Sequence, residues 1–581
     1  MTTNRFADKV KMQHRLFSEL SAMFGIEVPL YDKSLLVNKE CNKAVCALIA
    51  RLHPGFSVTE EQIDRTSGER HGAIRIGRPD EYRWVGRFFA QFAMEPHNFY
   101  DMTNVGSKSQ PIIATAFRSV VNPEHRVFTS LLMTNYFDPA TQERIEARLK
   151  ERTVFSDRAK ALIEKAERQG GLEWEDAEAL IGEGTARIFK WTGAARDHGL
   201  YQDLSKAGFK IAADIACFER HHLNHLTPNT FCMDLYTSAM KFCMGELPES
   251  EFKARAERAL GRFTAQCDKD MVRLLFRHLN TEQIDGFGRG AVGAAEISSM
   301  VASLAARLGQ SDLQLSKLNH SGFKDFTEGP SEDTPVLLRQ DAYKALTEKV
   351  VFTEADGSVI ETVHTARFGE IEQRFYATTP TGRKMYDECL AAAEVDRDKD
   401  PTLSKRDFAA YERAYGSAFT PFPKTLAELL DRGLVYGRYF ATASGRAARG
   451  ALSTTDVREL VKKGFVRVEG LRYEDFLPVS AAGIFASNLN QYGTKSTAAV
   501  KPTYTRAMLE EILGKRIVDA DAVYAGIEAQ SVLATYEALG VTERVPAQEW
   551  AALRLAAEAA QSAGVSVERD MPVRGAVMAG V

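Results

Sequence analysis

The run Glu69-Arg70-His71-Gly72-Ala73-Ile74-Arg75-Ile76, bounded by Ser67-Gly68 and Gly77, constrains the fold more than any other part of the chain. Before it, residues 8–52 place Phe17, Leu20, Met23 and Phe24 at helical spacing, with Gly25 as a stop signal. From 69 the period changes, and a short segment closed by glycines reads as a strand. Side chains at i, i+2 and i+4 of a strand share one face, so Glu69, His71, Ala73 and Arg75 point the same way. At ~3.3 Å per residue, His71 and Arg75 lie about 13 Å apart. A metal at His71 and a guanidinium at Arg75 could hold the two ends of one small dicarboxylate, because arginine grips a carboxylate with a planar fork.

Two further segments carry matching groups. In His221-His222-Leu223-Asn224-His225-Leu226-Thr227-Pro228, a strand would put His221, Leu223 and His225 on one face and His222 and Asn224 on the other. In Phe368-Gly369-Glu370-Ile371-Glu372-Gln373-Arg374, Glu370 and Glu372 share a face with Phe368 and Arg374. Two neutral imidazoles and one carboxylate leave about three open positions on an octahedral ion, the arrangement of non-haem iron(II) oxygenases. Spacing alone leaves open which of the clustered histidines, and which of the two glutamates, would bind.

The remaining pattern predicts a helix over roughly 80–94 and strands over 112–118 and 126–132. Residues 139–190 read as charged helices, and a second strand group starts at Phe209-Lys210-Ile211. Residues 240–322 look like a helical insertion, and strand signals return at 335–340 and 365–374. From 380 to 500 helices alternate with short extended pieces. The division expected is a catalytic metal-binding domain over 1–500 and a helical extension over 501–581, ending in a loose Gly-rich terminus. The Ala-rich helices of that extension are expected to serve packing or homo-oligomer contacts. Gly288-Arg289-Gly290-Ala291-Val292-Gly293 matches G-x-G-x-x-G, but a helical run and a polar turn precede it where a dinucleotide site needs a strand, so a turn before a helix is expected. Arg118 and Arg339 are candidates either for lining a pocket or for buried ion pairs.

Composition narrows the function. A net charge of −4 lacks the basic excess of a nucleic-acid binder. The seven cysteines are scattered without a C-x-x-C pair, which argues against a disulfide framework or zinc ribbon and fits a reducing compartment. The charged start MTTNRFADKVKMQHRLF lacks a signal-peptide core, and no window approaches the ~20 apolar residues of a membrane span. A cytoplasmic enzyme is expected, with a small-molecule substrate and neither nucleic acid nor membrane as partner.

Across several long motifs in order, the chain resembles the 2-oxoadipate dioxygenase/decarboxylase (hydroxyglutarate synthase) family of the vicinal oxygen chelate superfamily. They are Arg70-His71-Gly72-Ala73-Ile74-Arg75, Thr115-Ala116-Phe117-Arg118, Arg126 to Leu132, Asn224-His225-Leu226-Thr227-Pro228, Leu337-Leu338-Arg339-Gln340, His364 to Arg374 and Tyr473 to Phe485. The resemblance implies an α+β fold, with a half-open β-barrel of βαβββ modules surrounded by helices. It implies iron(II) at His71, His225 and Glu370, and substrate contacts from Arg75, Val479 and Ser480. Glu370 is favoured over Glu372 by similarity to the glutamate strand of 4-hydroxyphenylpyruvate dioxygenases. The implied reaction turns 2-oxoadipate and O2 into 2-hydroxyglutarate and CO2, a step of lysine catabolism. Two positions depart from the family pattern: Arg220-His221-His222 replaces Gly-Pro-His, and Asn229 stands where arginine is expected. An O2-independent metal-dependent lyase or isomerase of the same superfamily, and a non-catalytic dicarboxylate-binding protein, are the alternatives.

Overall fold

A computed structural model describes residues 5–105, 109–119, 125–324, 327–477 and 495–562. The expected first strand is β1, Glu69–Ile76, followed by β2 (Met94–Asp101), β3 (Ile112–Ser119) and β4 (Arg126–Leu132). Helix Pro79–Ala90 lies between β1 and β2 and opens with proline in its first turn, where a missing N–H costs nothing. After it come β5 (Ala194–Ala195), β6 (His225–Pro228), β7 (Leu338–Ala342), β8 (Thr347–Thr353), β9 (Val359–Thr365), β10 (Glu370–Arg374), β11 (Gly437–Ala441) and β12 (Val466–Gly470).

The main sheet has the order β2-β3-β4-β1-β6. β1 runs parallel to β4 and antiparallel to β6, so β1, its helix and β2–β4 form one βαβββ unit. β3 and β4 are buried along their whole lengths. β10 pairs antiparallel with β7 and touches the end of β6 through an Asn229–Glu372 bridge. The architecture is a mixed α+β fold, and among the described residues no sheet closes on itself.

Several expectations change. Phe209-Lys210-Ile211 does not start a strand: Lys210–Cys217 is a helix with Ile211 to Cys217 all buried. A short apolar run packed on every side shows neither a helical nor a strand period. Strand structure in the histidine cluster begins only at His225, so His221, Leu223 and His225 share no strand face. The helical region 8–52 is two helices, Lys9–Glu27 and Pro29–Leu52, with Gly25 inside the first and Pro29 opening the second. The segment 335–340 enters its ladder only at Leu338, and 365–374 splits between β9 and β10.

Residues 240–322 contain helices and no strand, as expected, including Glu249–Gln266, Lys269–Leu275 and Ala294–Leu308. The Gly288–Gly293 motif is a strap over the end of helix Pro29–Leu52. Gly288 and Gly290 donate to the Pro54 and Leu52 carbonyls at 2.7 and 2.8 Å, and a Cβ on Gly290 would overlap the Arg51 carbonyl. Helices Arg506–Leu513 and Ala520–Leu539 follow, and Leu509, Leu513, Val523 and Ile527 join the main core. Val479, Ser480 and the terminus beyond 562 lie outside the described residues. All seven cysteines are buried free thiols, and no described helix is long and apolar enough to cross a membrane.

Candidate metal centre

Strand register assembles the site. On β1 and β6, His71 lies opposite Thr227 and Ala73 opposite His225, so both imidazoles emerge near one point. β10 supplies Glu370 across from them. One carboxylate oxygen of Glu370, Oε2, lies 3.1 Å from His71 Nε2 and 3.3 Å from His225 Nε2. Thr227 Oγ1 donates to the same oxygen at 3.0 Å. The three donor atoms lie within 4.8 Å of one another, and all three residues are buried. The imidazole rings stand nearly perpendicular, at 89° with centroids 5.7 Å apart. Phe368 stacks on His225 at 4.9 Å, and Phe476 meets His71 edge-on at 4.7 Å. Gly369 lets β10 pass under Tyr343, whose ring a Cβ there would overlap.

The donor set fits a single divalent ion: two imidazole nitrogens and one carboxylate converge, and among the described residues no fourth His, Cys, Asp or Glu joins them. Burial lowers the pKa of His225 to about 4, against the opposing pull of Glu370, so the ring is neutral at physiological pH. Burial pushes Glu370 upward, but His225, His71 and Thr227 outweigh it and hold the carboxyl below its usual range.

The other candidates lie elsewhere. Glu372 does face His71, as the shared strand face requires, but from the opposite ring nitrogen: its Oε2 lies 2.9 Å from Nδ1. A carboxylate there favours the proton on Nδ1 and leaves the Nε2 lone pair for a metal. Glu372 also accepts from Arg126 Nη2 at 2.7 Å and from Arg374 Nε and Nη2 at 2.7 and 2.8 Å. Burial opposes its charge, yet Arg374, Arg126 and His71 hold its pKa well below the ordinary value. His221 is paired with Glu81 at 3.1 Å, which also accepts from Arg152, and His222 Nε2 lies 3.3 Å from Asp214 Oδ1. Asn229 is built into the protein as well: its carbonyl accepts from Asn38 at 3.0 Å, and Arg472 donates to its side chain at 3.4 Å.

The supporting ion pairs are those for which sequence patterns give little warning. Arg126 Nη1 also donates to Glu474 at 3.0 Å, and Arg277, from the helical stretch 240–322, donates to Glu474 at 2.9 Å. Arg118 pairs with Asp475 at 3.1 Å and Arg339 with Asp234 at 2.9 Å, so both form ion pairs. Arg126, Glu474 and Asp475 lie inside the family-like motifs Arg126 to Leu132 and Tyr473 to Phe485, which is the signal that finds them. Arg277 has none. Arg75 lies at the far end of β1, with Nη1 2.5 Å from Asp214 Oδ2. Its charge is among those that depress His225, which places it within electrostatic reach of the centre.

Fold and site together bring two histidines from one mixed sheet and one carboxylate from the neighbouring β10–β7 pair to a point where they could hold a metal ion. The family profile of 2-oxoadipate dioxygenase/decarboxylase matches residues 16–248 and 300–488, and the chain belongs to that family. The unmatched stretch, 249–299, falls within the helical stretch 240–322. A Pseudomonas putida protein named 2-oxoadipate dioxygenase/decarboxylase is 34% identical over 551 residues, 93% of this chain and 99% of the relative. An Escherichia coli protein of the same name is 30% identical over 542 residues, 91% and 98% of the two chains. The crystal structure of Pseudomonas putida hydroxyglutarate synthase in complex with 2-oxoadipate matches with a TM-score of 0.65 at 30% identity, covering 92% of this chain and 100% of that one.

Proposed function

We propose that the chain converts 2-oxoadipate and O2 into 2-hydroxyglutarate and CO2 with iron(II) held by His71, His225 and Glu370. The observation that carries this reading is the convergence of two imidazole nitrogens and one carboxylate oxygen, all buried, in a member of this family. Bound iron(II) would supply Lewis-acid polarisation of the 2-oxo acid and activation of O2. The atoms balance without an external reductant. C1 leaves as CO2, one oxygen atom enters the new carboxylate at C2, and the other becomes the hydroxyl on the adjacent carbon.

The protein's own part is positioning. Glu372 holds His71 in the tautomer that offers Nε2, and Thr227 fixes the Glu370 oxygen that faces both rings. Phe368 and Phe476 wall the centre with apolar surface and exclude water. Arg75 binds the distal carboxylate and selects which C–H bond faces the centre. Val479 and Ser480 join the substrate contacts by the family resemblance. The βαβββ unit and the β10–β7 pair are read as two parts of a half-open barrel of the vicinal-oxygen-chelate type. The free thiols suit a cytoplasmic setting, and the step belongs to lysine breakdown. The test is oxygen uptake by anaerobically iron-loaded protein on adding 2-oxoadipate. Uptake matched one-to-one by 2-hydroxyglutarate supports the reading. No uptake from a fully loaded protein, with shorter and longer 2-oxo acids also inert, overturns it.

A further inference from the structure

A second buried cluster adjoins the metal centre, gathered around Asp214 of helix Lys210–Cys217. Its Oδ2 receives Arg75 Nη1 at 2.5 Å. Its Oδ1 lies 3.3 Å from the Nε2 atoms of both His222 and His364. The Tyr201 hydroxyl lies 2.9 Å from the other nitrogen of His364. Trp191 closes on His222 edge-on at 4.6 Å, and Phe218 lies 4.5 Å from His364. Asp214, Arg75, His222 and His364 are all buried. Four separate segments therefore meet at one carboxylate: β1, helix Lys210–Cys217, the stretch before β6, and β9.

Balancing the charge of Arg75 would take only one carboxylate oxygen. Two imidazoles on the other oxygen, one of them held in turn by a tyrosine, fix the direction of the carboxylate as well. An arginine side chain otherwise carries about 2 kcal/mol of rotamer entropy. Tied at Nη1, it presents its guanidinium at one depth along the line from His71. We propose that Asp214, oriented by His222 and His364, is a positioning residue that sets the depth of the Arg75 guanidinium and thereby the chain length of the 2-oxo dicarboxylate accepted. This rests on the reading of Arg75 as the anchor of the distal carboxylate. The distance from metal to guanidinium acts as a ruler, and a displacement of about 1 Å at a positioned group costs on the order of 100-fold in rate.

The experiment compares wild type with Asp214→Asn, both as full-length iron-loaded protein, on 2-oxoglutarate, 2-oxoadipate and 2-oxopimelate. The expected result is a KM for the preferred acid raised about 10-fold or more, kcat reduced less, and kcat/KM ratios among the three acids falling toward one. A merely structural role would lower all three acids together and leave their ratios alone. Because Asp214→Asn removes the carboxylate charge facing a buried arginine and could prevent folding, Tyr201→Phe is measured beside it. That change loosens His364 without unpairing a charge, and a smaller shift in the same direction is expected. Unchanged ratios in the folded variants, with an active wild type, overturn this proposal alone. A wild type inert on all three acids overturns the functional reading and this inference with it.

Discussion

Changing Glu372 to glutamine separates the ligand carboxylate from the one behind it. Glu372 takes hydrogen bonds from two fully buried arginines and stands 2.9 Å from His71 Nδ1. Glutamine keeps one acceptor oxygen and turns the other position into a donor, so either an arginine or Nδ1 then faces an N–H. Breaking a buried ion pair from one side costs about 3–5 kcal/mol. If the amide donates to Nδ1, the imidazole proton moves to Nε2 and blocks the metal-binding lone pair. Loss of such an outer partner lowers metal affinity by about 10- to 100-fold, or roughly 1.4–2.7 kcal/mol. Among the described residues, the polar partners of Glu370 are His71, His225 and Thr227, with no Arg or Lys paired to it. Glu370→Gln should therefore abolish tight iron binding with little loss of apo-protein stability. Urea unfolding of the apo-proteins and anaerobic competitive iron titration read the two effects apart. Wild-type stability and affinity in Glu372→Gln would refute the role given to it. Complete loss of iron in Glu372→Gln at unchanged stability, with iron retained in Glu370→Gln, would exchange the two assignments.

Three further outcomes are expected. Thr227→Val removes one hydrogen bond to Glu370 Oε2 and should weaken iron binding by about 10-fold while leaving the melting temperature nearly unchanged; equal affinity in the titration contradicts it. Gly369→Ala forces a methyl group into the Tyr343 ring and should cost about 1–3 kcal/mol in urea unfolding; wild-type stability in that variant contradicts it. Asp341, on β7 behind β10, has its pKa raised to about 6, mainly by burial with Lys324 opposing. Its folded value lies above the unfolded one, so the ionised form opposes folding: the stability present below the ordinary carboxylate pKa is lost as pH rises through about 6. Asp341→Asn should be more stable than wild type above that pH, by up to about 3 kcal/mol, and no more stable near pH 4. A difference that does not vary with pH would refute that cause.

β1 and β10 are legible because each is short, flanked by glycine and periodic, whereas β6, which carries His225, has no glycine boundary and begins later than its pattern suggests. Gly72 and Gly369 mark close approaches, to Leu226 and Tyr343 respectively, so the glycines that punctuate the pattern also let the strands meet. The shared face of Glu370 and Glu372 followed from strand period alone, but the opposite sides of His71 that they occupy depend on tertiary placement. The helix Lys210–Cys217 was missed because it is buried all round and carries no polar face to reveal its period. Asp214 went with it, since a lone carboxylate in an apolar run gives no sign of partners drawn from β1, β9 and the stretch before β6. The chain of pairs from Arg277 through Glu474 and Arg126 to Glu372 joins residues hundreds of positions apart, and no local pattern encodes such neighbours.

The most direct test is to run iron-loaded protein on 2-oxoadipate under doubly heavy-isotope O2 and weigh the product. The account predicts 2-hydroxyglutarate carrying both heavy oxygen atoms, one in the carboxylate formed at C2 and one in the hydroxyl, with unlabelled CO2 released in equal amount. Product carrying one heavy oxygen or none, or turnover that continues without O2, would contradict it.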